Sequence, residues 1–269
     1  MTGLSRGRAL PSLSPVPERS ADMTSRPDQP PPLLIRTGEV RVPGGRSILG
    51  ALDLELSEQR IAIIGRNGSG KSTFIRLMAG LIAAESGSVS ISGKDMYKNR
   101  RAALNAIGIL FQNPDHQILF PTVAEELGFG LTQQGLSRSE ARAKVDRLLL
   151  DEARSHWAEA PVSTLSGGQK QYLCLLSLLL MAPQTLLLDE PFSGLDLPTG
   201  LRLKRRLAAL PLRIITIGHD PRDLTDQDRV LWFEAGALRM DGPPREVLAA
   251  YSAEMTRLGE VDADTHLAG

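Results

Sequence analysis

The run Gly65-Arg66-Asn67-Gly68-Ser69-Gly70-Lys71-Ser72-Thr73 sets glycines, hydroxyls and one ammonium in the order Gly-x-x-x-x-Gly-Lys-Ser. Glycines at those places let backbone N–H groups close around phosphate oxygens, and a helix beginning at the lysine would add its positive N-terminal end. Lys71 can then reach the β- and γ-phosphates, and the Ser72 hydroxyl suits Mg²⁺. Much later the apolar run Leu186-Leu187-Leu188 ends in Asp189-Glu190. A carboxylate closing a buried strand is costly unless a cation meets it, so Asp189 is expected to face Mg²⁺, directly or through water. Glu190 is then placed to polarise an attacking water. Together these residues describe hydrolysis of a nucleoside triphosphate.

Such groups work only when rigid elements hold them. Ile61–Ile64 reads as a short apolar strand, and behind the loop Phe74, Leu77 and Met78 fall at helical spacing, with Gly80 as a cap. Strand, glycine loop, helix is the context a phosphate loop needs. Leu33–Ile35, Val40–Val42 and Leu52–Leu56 read as strands, with Pro43-Gly44-Gly45 as a turn, and Val89–Ile91 and Ile107–Phe111 follow. From Pro114 to Ala182 the pattern turns helical, over Val123–Phe129, Ser139–Leu150 and Gly168–Ala182. Strands resume at Leu186–Leu188, Ile214–Ile217, Val230–Phe233 and Leu238–Met240. The expected class is α/β, a mostly parallel core with a small N-terminal antiparallel β-subdomain and an inserted helical subdomain at about 114–182.

The domain is expected to span 33–245. Residues 1–32, rich in Pro, Ser and Arg, are expected to form a disordered tail, with Met23 as an alternative start, and 246–269 a short C-terminal tail. Thirty-one basic residues balance thirty-one acidic ones, so no global field draws nucleic acid or an anionic membrane surface. The single cysteine, Cys174, sits in a leucine-rich run and is expected to be a buried, inert thiol. No stretch has the ~20 apolar residues that a membrane span requires.

Leu165-Ser166-Gly167-Gly168-Gln169 narrows the class. Here the chain resembles the ATP-binding cassette family of P-loop ATPases, over about residues 33–245. The resemblance implies that this segment, as a helix N-terminus, touches the γ-phosphate of ATP held by a second cassette chain, most simply in a homodimer. It implies that Gln112 couples Mg²⁺ and water to the helical insert, and that His219 contacts the γ-phosphate. It also implies that Ser193-Gly194-Leu195-Asp196 communicates between the two sites. His116, His156 and His266 match nothing and read as surface or loop residues. One departure concerns the base: where the family stacks adenine on an aromatic residue, this chain has Val42-Pro43, and no aromatic precedes Phe74. Val42, or Arg41 lying flat on the ring, must substitute.

The stretch from Phe111 to Gly130 resembles energy-coupling factor importers, in which the segment after the glutamine meets a membrane-embedded T component that works with a substrate-binding S component. Ile118, Leu119, Phe120 and Phe129 are unusually apolar for a solvated helix start. Asp228–Trp232, Asp241-Gly242-Pro243 and the short C-terminal region are similar to the ATPases of biotin importers. That resemblance implies a peripheral protein on the cytoplasmic face of the membrane. Cobalt or nickel import remains open, because the cargo never touches this subunit, as does a soluble cassette ATPase. A P-loop kinase would need an acceptor site and would not need the Ser166 segment.

Overall fold

The computed structural model describes residues 30–42 and 44–260. The expected tail up to residue 29, Met23, Pro43 and His266 lie outside the described residues. In chain order the strands and helices are β1 (Leu33–Thr37), β2 (Val40–Arg41), β3 (Ser47–Leu49), β4 (Leu52–Leu56), β5 (Arg60–Ile64), α1 (Lys71–Met78), β6 (Gly87–Ile91), β7 (Lys94–Asp95), α2 (Arg100–Ala106) and β8 (Ile107–Leu110). Then come α3 (Val123–Gln133), α4 (Arg138–Asp151), α5 (Gly167–Leu180), β9 (Thr185–Asp189), α6 (Leu197–Ala208), β10 (Arg213–Ile217), β11 (Arg229–Glu234), β12 (Ala237–Gly242) and α7 (Pro244–Glu260).

The central sheet runs β12-β11-β5-β10-β9-β8, parallel throughout except for the edge strand β12. Its strands are apolar on both faces because both faces are covered. Ile61, Ile63, Leu187, Ile215 and Leu231 point into one core, shared with α1 and with the antiparallel sheet β4-β1-β6-β7. Leu186, Leu188 and Ile214 point the other way, against Cys174 and Leu175 of α5 and Leu203 and Leu207 of α6. Ala62, Ile64, Val230 and Trp232 meet α7 on that second face. The helical insert has its own core, built from Val123, Leu127, Val145, Leu149, Trp157 and Leu173. No helix among the described residues is long and apolar enough to cross a membrane.

Two expectations at the chain ends are corrected. Residues 246–260 are not a tail: α7 buries Val247, Leu248 and Tyr251, and the Tyr251 ring meets Trp232 edge-on at 5.4 Å. These positions share one helical face, a spacing that goes unnoticed when the segment is assigned to finishing the sheet. At the other end, the fully buried Arg213 donates to the carbonyls of Pro30 and Pro31, both at 2.9 Å, and to that of Glu58 at 3.2 Å. Pro30 and Pro31 are therefore tied into the domain, because a buried guanidinium must find acceptors and takes them from this segment. Within the chain, α3 runs to Gln133, beyond Phe129, and β3, β7, α2 and α6 add elements the hydrophobic pattern had not marked.

Candidate functional site

The glycine loop leaves the end of β5 and enters α1 directly. Gly65 must be glycine: a Cβ there would run into the carbonyl oxygen of Phe233 and come within 2.7 Å of the Ser69 hydroxyl. Gly70 has φ 100°, and a Cβ would lie 2.6 Å from Leu49 Cδ2, so β3 holds the loop from the side. Lys71 is buried, and its Nζ donates to the carbonyls of Gly65 at 2.7 Å and Arg66 at 2.9 Å. An ammonium has three donors, so a phosphate can still be engaged. Burial pushes the Lys71 pKa down, while the charges of Glu190 and Asp189 pull it back up. The buried Ser69 hydroxyl has no partner within the protein. An orphaned hydroxyl beside a buried ammonium, in a loop too tight for a Cβ, suits a phosphate. Arg66, Asn67 and Gly68 are exposed at the loop's rim, and Thr73 is half-buried behind it.

Asp189 ends β9 next to this loop, with Oδ1 3.4 Å from Ser72 Oγ. Burial raises its pKa, the Ser72 hydrogen bond opposes that rise, and the neighbouring Glu190 charge adds to it. Glu190 itself adopts a left-handed backbone, φ 47°, strain that turns its side chain out of the strand line at a functional edge. Its Oε2 accepts a hydrogen bond from Gln112 Nε2 at 3.1 Å and lies 3.7 Å from His219 Nδ1. Gln112 Nε2 also donates to Ser193 Oγ at 3.4 Å. Gln112, Glu190 and His219 follow β8, β9 and β10, three adjoining parallel strands, so sheet order alone brings them together. Among the described residues no three His, Cys, Asp or Glu side chains converge as a metal cage. A Mg²⁺ held by Ser72 and Asp189 would complete its shell from phosphates and water, which is how this ion is usually bound.

The Ser166 segment stands apart from this cluster. Ser166 caps α5 in a reciprocal box, with its N–H on Gln169 Oε1 at 2.8 Å and the Gln169 N–H on Ser166 Oγ at 3.3 Å. Gly168 faces Thr199 of α6, where a Cβ would approach Thr199 Cγ2 to 2.7 Å. Ser166 and Gly167 are exposed, leaving a helix N-terminus open to a ligand from outside. Val42 sits in a turn, its N–H on the Arg46 carbonyl at 3.1 Å. Arg41 is drawn to Glu39 at 2.9 Å and Glu85 at 3.3 Å. His116 and His156 are exposed, as expected. Cys174 is fully buried, and burial pushes its pKa up to about 12. Sequence reasoning missed the roles of Leu49 and of the Phe233 carbonyl in shaping the loop; neither contact leaves a local signal.

A parallel sheet with a phosphate loop after β5 and an acidic pair after β9 defines a P-loop nucleoside-triphosphatase. The family profile described as ABC transporter matches residues 49–193, more than half of the chain. A "Biotin transport ATP-binding protein BioM" from Rhodobacter capsulatus is 47% identical over 219 residues, covering 81% of this chain and 94% of that protein. An "Energy-coupling factor transporter ATP-binding protein EcfA1" from Streptococcus pneumoniae is 37% identical, covering 70% of each chain. The structure of cbiO1 from Clostridium perfringens, titled as part of the ABC transporter complex cbiONQ, matches with a TM-score of 0.68 and 26% identity, covering 88% of this chain and 97% of that one. The chain belongs to the ABC transporter family, and it is an ATPase.

Proposed function

We propose that this chain is the ATP-hydrolysing subunit of an energy-coupling factor importer whose cargo is biotin. The meeting of Gln112 and His219 on the single carboxylate of Glu190, beside Lys71 and Ser72, carries the hydrolytic part of this reading. The printed names of its relatives, above all the biotin transport protein at 47% identity, support the cargo.

The residues divide the work. Backbone N–H groups of Gly65 to Ser72 wrap the phosphates, Lys71 supplies positive charge to the β- and γ-phosphates, and Thr73 supports the loop from α1. Ser72, Asp189 and Gln112 would hold Mg²⁺, which supplies charge neutralisation on the phosphate oxygens. Glu190 accepts hydrogen bonding from the attacking water and polarises it towards the γ-phosphorus. His219, 3.7 Å from Glu190, donates to the γ-phosphate and orients the carboxylate. The base of ATP rests on Val42 or Arg41.

The exposed N-terminus formed by Ser166, Gly167, Gly168 and Gln169 requires a nucleotide from elsewhere, and a second copy of this chain supplies it. The membrane-embedded T component docks on the apolar segment after Gln112, where Leu119 is 68% exposed and the Phe120 and Phe129 rings lie 5.0 Å apart. The S component carries the cargo, and the chain sits on the cytoplasmic face of the membrane.

Co-expression with the importer's membrane components tests the proposal. The tagged chain should retain both components in detergent, and vesicles should accumulate labelled biotin only with ATP inside and Glu190 intact. Uptake of cobalt or nickel in place of biotin would move the cargo assignment; recovery of the chain free of any membrane component would overturn the importer reading.

A further inference from the structure

Glu126 sits on the buried face of α3, among Val123, Ala124, Leu127, Gly130 and Leu131. It is only 6% exposed. A residue that merely filled that face would be apolar, since an ionised carboxylate is expensive there unless it is hydrogen-bonded. Its Oε2 accepts two successive backbone N–H groups, from Leu119 at 2.9 Å and from Phe120 at 3.0 Å. Paired main-chain donors of this kind bind an anion. Here the anion is internal, so the bond fixes the backbone that donates. That backbone belongs to the non-helical stretch between Pro114–His116, a single 3₁₀ turn, and α3. From it Leu119 projects into solvent while Phe120 turns back onto Phe129.

The 3₁₀ turn that leads into this stretch begins two residues after Gln112, and its Asp115 is bound by Lys170 of α5 at 2.7 Å. Through that turn the stretch is joined on one side to Gln112, and so to Glu190, and on the other to the helix that Ser166 caps. A partner seated on Leu119 would press on a segment already tied to both halves of the ATP site.

We propose that Glu126 is the positioning residue of the membrane-docking loop: its buried carboxylate clamps the Leu119 and Phe120 amides so that Leu119 is presented, preformed, to an apolar side chain of the membrane-embedded subunit. This rests on the docking surface proposed above. Without the clamp the loop must be ordered on binding, and affinity falls.

The test measures three quantities on each variant: ATP turnover of the isolated chain, its melting temperature, and its affinity for the membrane-embedded subunit in nanodiscs. Leu119→Asp should lose docking with turnover unchanged. Glu126→Leu should keep turnover within about twofold and weaken docking by about tenfold or more, roughly one hydrogen bond's worth of preorganisation. Glu126→Gln, whose amide oxygen can still accept both N–H groups, should dock nearly as the parent does. If Glu126→Leu does not fold, Glu126→Asp decides: it keeps the charge but shortens the reach, so docking should weaken and amide exchange at Leu119 and Phe120 should quicken. Parental docking by Glu126→Leu, or by Glu126→Asp where the Leu variant does not fold, while Leu119→Asp fails would leave Glu126 as a core residue and overturn the proposal alone. Parental docking by Leu119→Asp would overturn the docking surface itself.

Discussion

Gln112 and Glu190 are 78 positions apart in the chain, yet the amide of one donates to the carboxylate of the other at 3.1 Å. The carboxylate accepts this bond on Oε2, the oxygen that also faces His219 at 3.7 Å. Glu190 is thus held by Gln112, with His219 close by, before any nucleotide arrives.

Replacing Glu190 by Gln removes the proposed base but leaves every proposed phosphate contact in place. Turnover should fall to background while ATP still binds, and the ATP-bound chains should persist as a dimer. Size-exclusion chromatography with and without ATP, alongside phosphate release, checks this. Near-normal hydrolysis would assign the base elsewhere.

His219→Ala should retain ATP affinity and lose turnover by a factor on the order of 10², the usual effect of removing one transition-state donor. A nucleotide titration followed by single-turnover kinetics separates the two steps. Unchanged turnover would make His219 a bystander.

Asp189→Asn should stabilise the nucleotide-free protein while impairing hydrolysis. Burial raises the Asp189 pKa above its ordinary 3.8, so the folded protein disfavours the ionised form. At pH values above the raised pKa that cost is fully present, and Asn escapes it. The advantage, read as a higher melting temperature near neutral pH, should shrink as pH falls through the raised pKa and vanish below the ordinary 3.8. Thermal melts of both proteins from pH 7 downwards decide it; a less stable Asn variant at pH 7 would contradict the assigned cost.

Mixing Ser166→Arg chains with Lys71→Ala chains should restore one working site per heterodimer. Each chain then spoils a different half, and one of the two composite sites keeps both good halves. Activity of the mixture well above either parent is the expected result. A mixture as inactive as its parents would mean that the nucleotide site is complete within one chain.

The parts legible in the sequence were those where chemistry or burial leaves no choice of residue. A phosphate loop needs Gly65, Gly70 and Lys71 in fixed order, and strands covered on both faces, such as β5 and β9, must be apolar through their middles, as Ile61–Ile64 and Leu186–Leu188 are. β3 was missed because its contribution, Leu49 against Gly70, is a long-range contact on a three-residue strand. α6 was missed because it buries only Leu203 and Leu207 and leaves Leu197 and Leu201 exposed. The clustering of Gln112, Glu190 and His219 depends on strand order, which no local pattern encodes. The left-handed turn at Glu190 gave no warning either, since glycine, the usual signal for it, is absent there.

The late helix α7 ties together parts of the protein that its position in the chain would keep separate. One apolar block contains Val247, Leu248 and Tyr251 of α7, Ile64 at the threshold of the phosphate loop, and Leu224 from the turn after His219. Leu224 in turn lies so close to Gly218 that a Cβ there would sit 2.8 Å from its Cδ2. α7 therefore acts as a splint across the phosphate loop and the histidine, holding both to one frame. A premature stop ahead of Val247 would remove no group that meets nucleotide, yet the damage would look like two active-site lesions at once.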